Sequence, residues 1–201
     1  MELTKWTRQA LYQEQLQDKI VRCHLCPHNC TIRNEKYGIC RTRVNIDGTL
    51  YTVAYGNPCS ANIDPIEKKP LFHFLPGSKI FSIATAGCNF KCLNCQNWEI
   101  SQSSPQELSH YDLPPEAVVE LVAKNNITSI AFTYTEPTVF YEYVYDTAKL
   151  AHEKDIKTVI VSNGYINEKP LLELCQYLDA ANIDLKCIDD QIYRKLTGGK
   201  L

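Results

Sequence analysis

IFSIATAGCNFKCLNCQN, residues 80–97, joins the pattern of a buried strand to three closely spaced cysteines. Its first part, residues 80–85, is a short apolar run of the kind that forms a buried strand. Cys88, Cys92 and Cys95 follow that run directly. Because ligand sites in parallel α/β folds form on the loops after the carboxyl ends of strands, this position favours chemistry over packing.

The same β/α texture continues to the end of the chain. Further strands are predicted at residues 129–133, 158–161 and 182–185, and helices at 116–125, 138–152 and 168–178. Such alternation predicts a parallel sheet with right-handed crossovers. The chain stops at Leu201 without a closing element, so we expect an incomplete barrel and a piece of a longer protein.

The three cysteines of the central segment predict a metal cluster. Soft thiolate ligands suit iron and sulfide, and Cys88, Cys92 and Cys95 are close enough in sequence to share one cluster. With three local ligands one iron keeps an open position, as catalytic sites do and closed structural sites do not. A zinc ion that borrows a fourth ligand from elsewhere is the alternative.

The spacing Cys-x3-Cys-x2-Cys after a first strand resembles that of the radical SAM superfamily. The resemblance implies a [4Fe–4S] cluster on these cysteines whose open iron is chelated by S-adenosylmethionine. It also implies reductive cleavage of that cofactor to methionine and a 5′-deoxyadenosyl radical, which abstracts hydrogen from a substrate. Asn94 departs from the superfamily, where an aromatic residue usually precedes the last cysteine. Phe90 or Trp98 could supply that adenine contact or belong to the core.

Three later strand ends resemble those of pyruvate formate-lyase activating enzymes. The matching stretches are Glu136 for the acid of Gly-Gly-Glu, Ser162-Asn163-Gly164 for Thr-Asn-Gly, and Asp184-Leu185-Lys186 for Asp-x-Lys. The resemblance implies cofactor contacts from Glu136, Ser162, Asn163, Asp184 and Lys186, with Glu136 on the methionyl ammonium and Lys186 on the carboxylate. The plainer alternatives are a helix N-terminal acid, a turn and a buried ion pair. Val161 stands where those enzymes have an acid beside a monovalent cation.

A second group of four cysteines lies near the N-terminus: Cys23, Cys26, Cys30 and Cys40. Four thiolates close a coordination sphere, which predicts structural zinc or a second iron–sulfur cluster. His24 or His28 could replace one of the thiolates.

The residues around this group predict a small appendage. An amphipathic segment with Leu11, Leu16, Ile20 and Val21 predicts an opening helix, and Asp47-Gly48 between β-rich runs predicts a hairpin. We therefore expect residues 1–75 to form an N-terminal helix, a Cys-rich metal-binding segment and a hairpin. Residues 76–201 are expected to form an α/β radical SAM core, truncated at its C-terminus, as a partial (β/α) barrel with four of about six β/α units.

Two more segments extend the resemblance to the AmmeMemoRadiSam system radical SAM enzymes. They are CHLCPHNC, residues 23–30, and IDPIEKKPLFHFLPGS, residues 63–78. The resemblance implies an activating-enzyme-like oxidoreductase, an electron donor of the flavodoxin or ferredoxin type, and Memo-like and AMMECR1-like partner proteins. Three functions stay open: modification of a small molecule or peptide, activation of a glycyl-radical enzyme, and a non-catalytic binding or electron-transfer module.

Composition excludes several other classes. The formal net charge of -2 comes without a long run of one sign, so neither nucleic acid nor a membrane surface is an expected partner. No apolar stretch is long enough to span a bilayer, and the polar N-terminus does not resemble a signal peptide. We therefore expect a cytoplasmic protein, in which the 10 cysteines serve metals; a secreted disulfide framework is the alternative.

Overall fold

The chain begins with two small antiparallel sheets of three strands each. The computed structural model describes residues 3–201. The six strands are β1 (Arg8–Gln9), β2 (Gln13–Gln15), β3 (Val21–Cys23), β4 (Thr31–Ile32), β5 (Arg43–Ile46) and β6 (Thr49–Thr52). One sheet has the order β1-β6-β5 and the other the order β2-β3-β4. Strands β5 and β6 pair across Asp47 and Gly48, whose positive φ angles of 53° and 84° suit a tight hairpin turn.

The segment predicted as an opening helix is extended instead. Strands β2 and β3 pair antiparallel around a turn at Gln17–Lys19, where Asp18 and Lys19 have φ angles of 56° and 57°. Val21 is fully buried on β3, whereas Leu11 is 45% exposed, so the apolar residues do not share a helical face. The apolar spacing resembled a helix, but pairing within the small sheet determined the local structure.

The main sheet has five strands in the order β11-β10-β9-β8-β7. They are β7 (Ser60–Pro65), β8 (Lys79–Ala84), β9 (Ser129–Phe132), β10 (Lys157–Ser162) and β11 (Ala180–Ile183). Strands β8 to β11 are mutually parallel and lie within two residues of the predicted bounds. Strand β7 was not predicted because its sequence, SANIDP, contains Asn, Asp and Pro, which are depleted in strands; it pairs antiparallel with β8 at the edge.

Five α-helices accompany the main sheet. They are α1 (Trp98–Ser101), α2 (Pro115–Lys124), α3 (Tyr141–His152), α4 (Glu168–Leu174) and α5 (Asp190–Thr197). The predicted helix at 138–152 is divided into a 3₁₀ turn, Pro137–Phe140, and α3, and the one at 168–178 ends in a 3₁₀ turn, Cys175–Tyr177. Within residues 3–201, no helix is both long enough and apolar enough to cross a membrane.

The two faces of the main sheet differ in cover. Large side chains such as Phe81 and Phe132 pack against the apolar sides of α2 and α3. On the other face, Ile80, Ala131 and Val159 pack beneath Ile66 and its neighbours in the segment between β7 and β8. The carboxyl ends of the four parallel strands lie on the same side of the sheet, and the polar residues that follow these strands lie close together there.

Candidate functional site

The loop after β8, residues 86–97, carries the three central cysteines and is called the cysteine loop below. The backbone N–H of Cys95 donates to the carbonyl of Cys92 over 3.2 Å, which closes a turn between two of the thiols. The Cys88 sulfur accepts from the Phe90 amide at 3.3 Å, and the Cys95 sulfur lies 3.3 Å from the Ser101 hydroxyl. One backbone amide therefore donates to Cys88, and one side-chain hydroxyl lies within hydrogen-bond distance of Cys95.

The C-terminal helix holds the cysteine loop in place. The Lys91 and Leu93 amides donate to the carbonyls of Thr197 and Leu196, at 2.7 and 2.9 Å. Phe90, 1% exposed, packs between Tyr165 and Tyr193 with ring centroids 5.0 and 5.8 Å away. Phe90 is thus a core residue of this loop, whereas Trp98 is 62% exposed.

One cavity, called the strand-end cavity below, brings together all the residues predicted for the central site. Its lining includes Cys88, Cys92, Cys95, Glu136, Ser162, Asn163, Asp184 and Lys186. Three soft thiols and five polar residues from three strand ends therefore face a shared space. This donor set fits a thiolate-bound cluster beside a small polar cofactor.

Glu136 is the most enclosed acid of the cavity, at 2% exposure. Its Oε1 accepts from the Thr138 amide at 3.0 Å, the Thr138 hydroxyl at 2.7 Å and the Ser162 hydroxyl at 2.8 Å. Its Oε2 accepts from the Asn163 amide at 2.8 Å. Burial raises the pKa of this carboxyl, and the four donors oppose that rise. The carboxylate therefore fixes the turn after β10 in addition to lining the cavity.

Asn163 connects that turn to the cysteine loop. Its side-chain Nδ2 donates to Asn89 Oδ1 at 2.8 Å and lies 4.0 Å from the Cys88 sulfur, and its Oδ1 accepts from the Tyr165 amide. Asn89 in turn donates to the Tyr165 carbonyl at 2.9 Å. Both amide groups of these side chains are engaged within the protein, so Asn163 orients the loop that carries Cys88.

Asp184 and Lys186 lie beyond the end of β11, whereas the predicted strand, residues 182–185, included Asp184. They form an ion pair at 2.6 Å, with side chains 41% and 29% exposed. Burial lowers the pKa of Lys186, but the Asp184 carboxylate raises it by more, so the pKa lies above its ordinary value. Burial raises the pKa of the Cys92 thiol, and the nearby Lys186 charge opposes that rise. Lys186 therefore carries a positive charge next to the Cys92 thiol.

A polar group on β7 was missed because that strand was not predicted. Asp64 accepts from Lys68 at 2.8 Å, from the buried Lys69 at 2.7 Å and from the Tyr134 hydroxyl. Burial raises the pKa of Asp64, but these donors outweigh it and hold the pKa below its ordinary value. Tyr134 lines the strand-end cavity and takes a left-handed φ of 64°. The signal in the sequence was the i, i+4 spacing of Asp64 and Lys68.

The second thiol group, comprising Cys23, Cys26, Cys30 and Cys40, lines one separate cavity. Its donor chemistry, four soft thiols around a shared space, fits a closed metal site. Burial raises the pKa of the Cys26 thiol to about 12. Within residues 3–201, no group of three or more His, Cys, Asp or Glu side chains has a geometry that could hold a metal ion as it stands.

The two histidines of that segment have other partners. His24 lies 3.0 Å from the Glu14 carboxylate at the surface, and His28 lies 2.8 Å from the carbonyl of Asn89 in the cysteine loop. Both histidines therefore contact residues outside the four-cysteine group.

Comparison with known proteins gives one family. The family model described as the radical SAM superfamily matches residues 82–201. An uncharacterized protein of Methanocaldococcus jannaschii is 49% identical over 189 residues, 94% of this chain and 56% of that protein. The chain therefore spans little more than half the length of that relative.

Two more distant matches are similar over shorter parts. A 4-hydroxyphenylacetate decarboxylase activating enzyme of Clostridium scatologenes is 29% identical over 69 residues, 34% of this chain and 22% of that enzyme. A structure of TYW1 with a lysine-pyruvate adduct bound aligns with a TM-score of 0.44 and 20% identity, over 66% of this chain and 50% of that one.

Proposed function

We propose that this chain, which belongs to the radical SAM superfamily, cleaves S-adenosylmethionine reductively to methionine and a 5′-deoxyadenosyl radical that abstracts hydrogen from a substrate. The observation that carries the proposal is the strand-end cavity, in which three thiols meet five polar residues from separate strand ends. The members of this set are far apart in sequence, and no packing requirement alone explains their convergence.

In this proposal, Cys88, Cys92 and Cys95 hold a [4Fe–4S] cluster that supplies the electron for cofactor cleavage. The Phe90 amide and the Ser101 hydroxyl stabilise two of the thiolates by directing donors at sulfur. Phe90 keeps water from one side of the loop because it is buried between two tyrosines. The sulfurs of Cys88 and Cys95 are therefore oriented by the protein itself.

The polar residues divide the remaining work. Lys186 offers a positive charge for the methionyl carboxylate, and Asp184 orients that charge at 2.6 Å. Glu136 Oε2 accepts a single bond within the protein, which leaves acceptor capacity for the methionyl ammonium. Ser162 and Asn163 act mainly through Glu136 and Asn89, to which they are hydrogen-bonded.

Further parts of the proposal concern the whole protein. The four parallel strands would belong to a (β/α) barrel of about six units, and the longer relative supports a continuation of the fold. The second thiol group would hold zinc or a second iron–sulfur cluster. The electron would come from a flavodoxin- or ferredoxin-type protein, and Memo-like and AMMECR1-like proteins are the proposed partners.

Activation of a glycyl-radical enzyme is the second candidate. It is favoured by the similarity to the decarboxylase activating enzyme. The two candidates differ in product: an activating enzyme leaves a protein radical on its partner, whereas the general proposal requires only 5′-deoxyadenosine and an altered substrate.

Spectroscopy of the reconstituted chain tests cluster and cofactor binding. After anaerobic reconstitution the protein should show [4Fe–4S] absorption, and its reduced paramagnetic resonance signal should change when S-adenosylmethionine is added. Lys186→Met should weaken that response about 10-fold because a charge-assisted contact is lost, whereas Lys195→Met on the exposed side of α5 should not. A wild-type cluster that ignores the cofactor would contradict the proposal.

A further inference from the structure

The second thiol group carries hydrogen-bond donors that suit thiolates. Two of its four sulfurs accept from the protein. The Thr42 hydroxyl donates to the Cys40 sulfur at 3.2 Å, and the Arg43 Nη1 donates to the Cys23 sulfur at 3.8 Å. Donors directed at sulfur stabilise the thiolate form, which is the form that binds metals.

Protein charge alone does not balance four thiolates at this place. Arg43 lies beside Cys23, with Nη1 3.8 Å from the sulfur, and its side chain is 1% exposed. Arg43 is itself paired with the buried Glu142. Ionisation of these four buried thiols would therefore require a further cation beside them, and a divalent metal or an iron–sulfur core provides one.

The cysteine loop packs directly on the second thiol group. Gly87 has a φ of 98°, and a Cβ there would lie 2.5 Å from Thr42 Cγ2 and 2.6 Å from the Cys40 carbonyl oxygen. Such distances leave no room for a side chain. The backbone just before Cys88 is thus placed by the segment that carries Cys40.

A second contact runs from the Cys23 to Cys30 segment. His28 lies 2.8 Å from the Asn89 carbonyl, and its ring meets Tyr165 edge-on at 5.0 Å. Asn167, after the turn that carries Asn163, donates to the His24 and Leu25 carbonyls at 2.7 and 3.0 Å. The same short segment therefore fastens both the cysteine loop and the turn after β10.

We infer that the second thiol group is a closed metal site that positions the cysteine loop, so that its metal governs how firmly the first cluster is held. The segment between β3 and β5 is shaped by the two-residue strand β4 and by a bridge between Tyr37 and Val44, and a bound metal would add four further constraints to this short framework. His28 is a positioning residue that acts through Asn89, and Cys40 acts through Gly87.

Metal analysis separates the second site from the first. In the full chain with Cys88, Cys92 and Cys95 all replaced by Ala, zinc or iron should remain bound, and the further change Cys26→Ser should remove it. A triple variant that binds neither metal after anaerobic purification and reconstitution would overturn the inference. Because this readout needs no S-adenosylmethionine, it is independent of the proposed activity.

The effect of the second thiol group on the cysteine loop is measured by iron release and by hydrogen exchange of backbone amides. Both are measured in variants that carry a single substitution. Cys26→Ser should speed release of iron from the Cys88, Cys92 and Cys95 site to a chelator about 10-fold, the usual size of an indirect ligand effect. Hydrogen exchange should also rise in residues 86–91 and 163–167. Cys175→Ser, which changes an exposed cysteine outside both groups, is the matched control.

His28→Phe covers the case in which Cys26→Ser fails to fold. It keeps an aromatic ring against Tyr165 but removes the contact with the Asn89 carbonyl. Faster iron release with the second metal retained supports the inference. Iron release and exchange at control levels in this folded variant would overturn it.

Discussion

At the scale of single residues, Glu136 is the N-cap of the 3₁₀ turn Pro137–Phe140, as the helix N-terminal alternative expected, and it also accepts from Ser162 and Asn163. Glu136→Ala would leave four donors around an empty position, so we expect a loss of about 3 kcal/mol in the free energy of unfolding. Urea denaturation of the chain measures it. Glu120→Ala, which removes an exposed helix acid, should change stability by less than about 0.5 kcal/mol. Equal effects of the two changes would show that the Glu136 bonds contribute little.

Asp64 gives a pH-dependent prediction. Its pKa is held below the unfolded value, so its stabilising contribution is complete above about pH 4 and is lost as the pH falls through the folded pKa. Asp64→Asn should therefore cost about 3 kcal/mol near neutral pH, because Lys69 loses its buried partner. The difference from wild type should shrink in acid.

Urea midpoints of Asp64→Asn and wild type between pH 7 and pH 3 measure that difference. Asp112→Asn, at an exposed pair with Lys5, serves as the control and should change stability by less than about 1 kcal/mol. A difference for Asp64→Asn that stays constant down to pH 3 would rule out the assigned ion pairs.

The sequence identified the polar residues of the central site but not their partners. Spacing was enough to group Cys88, Cys92 and Cys95, because a cluster constrains its own ligands. It could not reveal that Asn163 is hydrogen-bonded to Asn89, since that contact depends on how two distant loops pack. Asp64 was missed for the same reason, as its role follows from an edge strand whose residues include Asn62 and Pro65, which are depleted in strands.

At the scale of elements, Gly87 tests the packing of the cysteine loop against the second thiol group. Gly87→Ala should cost about 3 kcal/mol or more, because the new Cβ meets Thr42 and Cys40 at under 3 Å. Gly77→Ala has a similar positive φ of 75° but nothing within 4 Å, so it should cost only about 1–2 kcal/mol of backbone strain. Urea denaturation of both variants measures the loss in the free energy of unfolding. Equal losses for the two would contradict the close packing at Gly87.

The observed strands lie close to the predicted ones where nearly every residue is buried. The predicted and observed structures differ where a turn interrupts the segment. Strands β8 to β10 are almost wholly buried apolar runs and lie close to their predicted positions. The residues before β3 have apolar spacing typical of a helix, but Asp18 and Lys19 take left-handed conformations that end any helix. Such single-residue turns have no periodic signature.

At the scale of the whole molecule, the small N-terminal sheets are fastened to the main fold by a buried ion pair. Arg43 of β5 pairs with Glu142 of α3, and Glu142 also accepts from the Leu11 amide at 2.8 Å. Glu142→Ala should lower the free energy of unfolding by about 3–5 kcal/mol, because the buried guanidinium of Arg43 then has no charged partner. Glu14→Ala, at an exposed ion pair, should have less than about 1 kcal/mol of effect. Thermal or urea unfolding with a small Glu142→Ala effect would show that the sheets are not coupled through this pair.

Cleavage of S-adenosylmethionine by the reduced, reconstituted chain tests the central claim most directly. We expect 5′-deoxyadenosine and methionine in equal amounts from wild type and from Cys175→Ala, and neither from Cys92→Ala, which lacks a cluster ligand. Wild-type protein with an intact [4Fe–4S] cluster that releases no 5′-deoxyadenosine, or undiminished release from Cys92→Ala, would contradict the account.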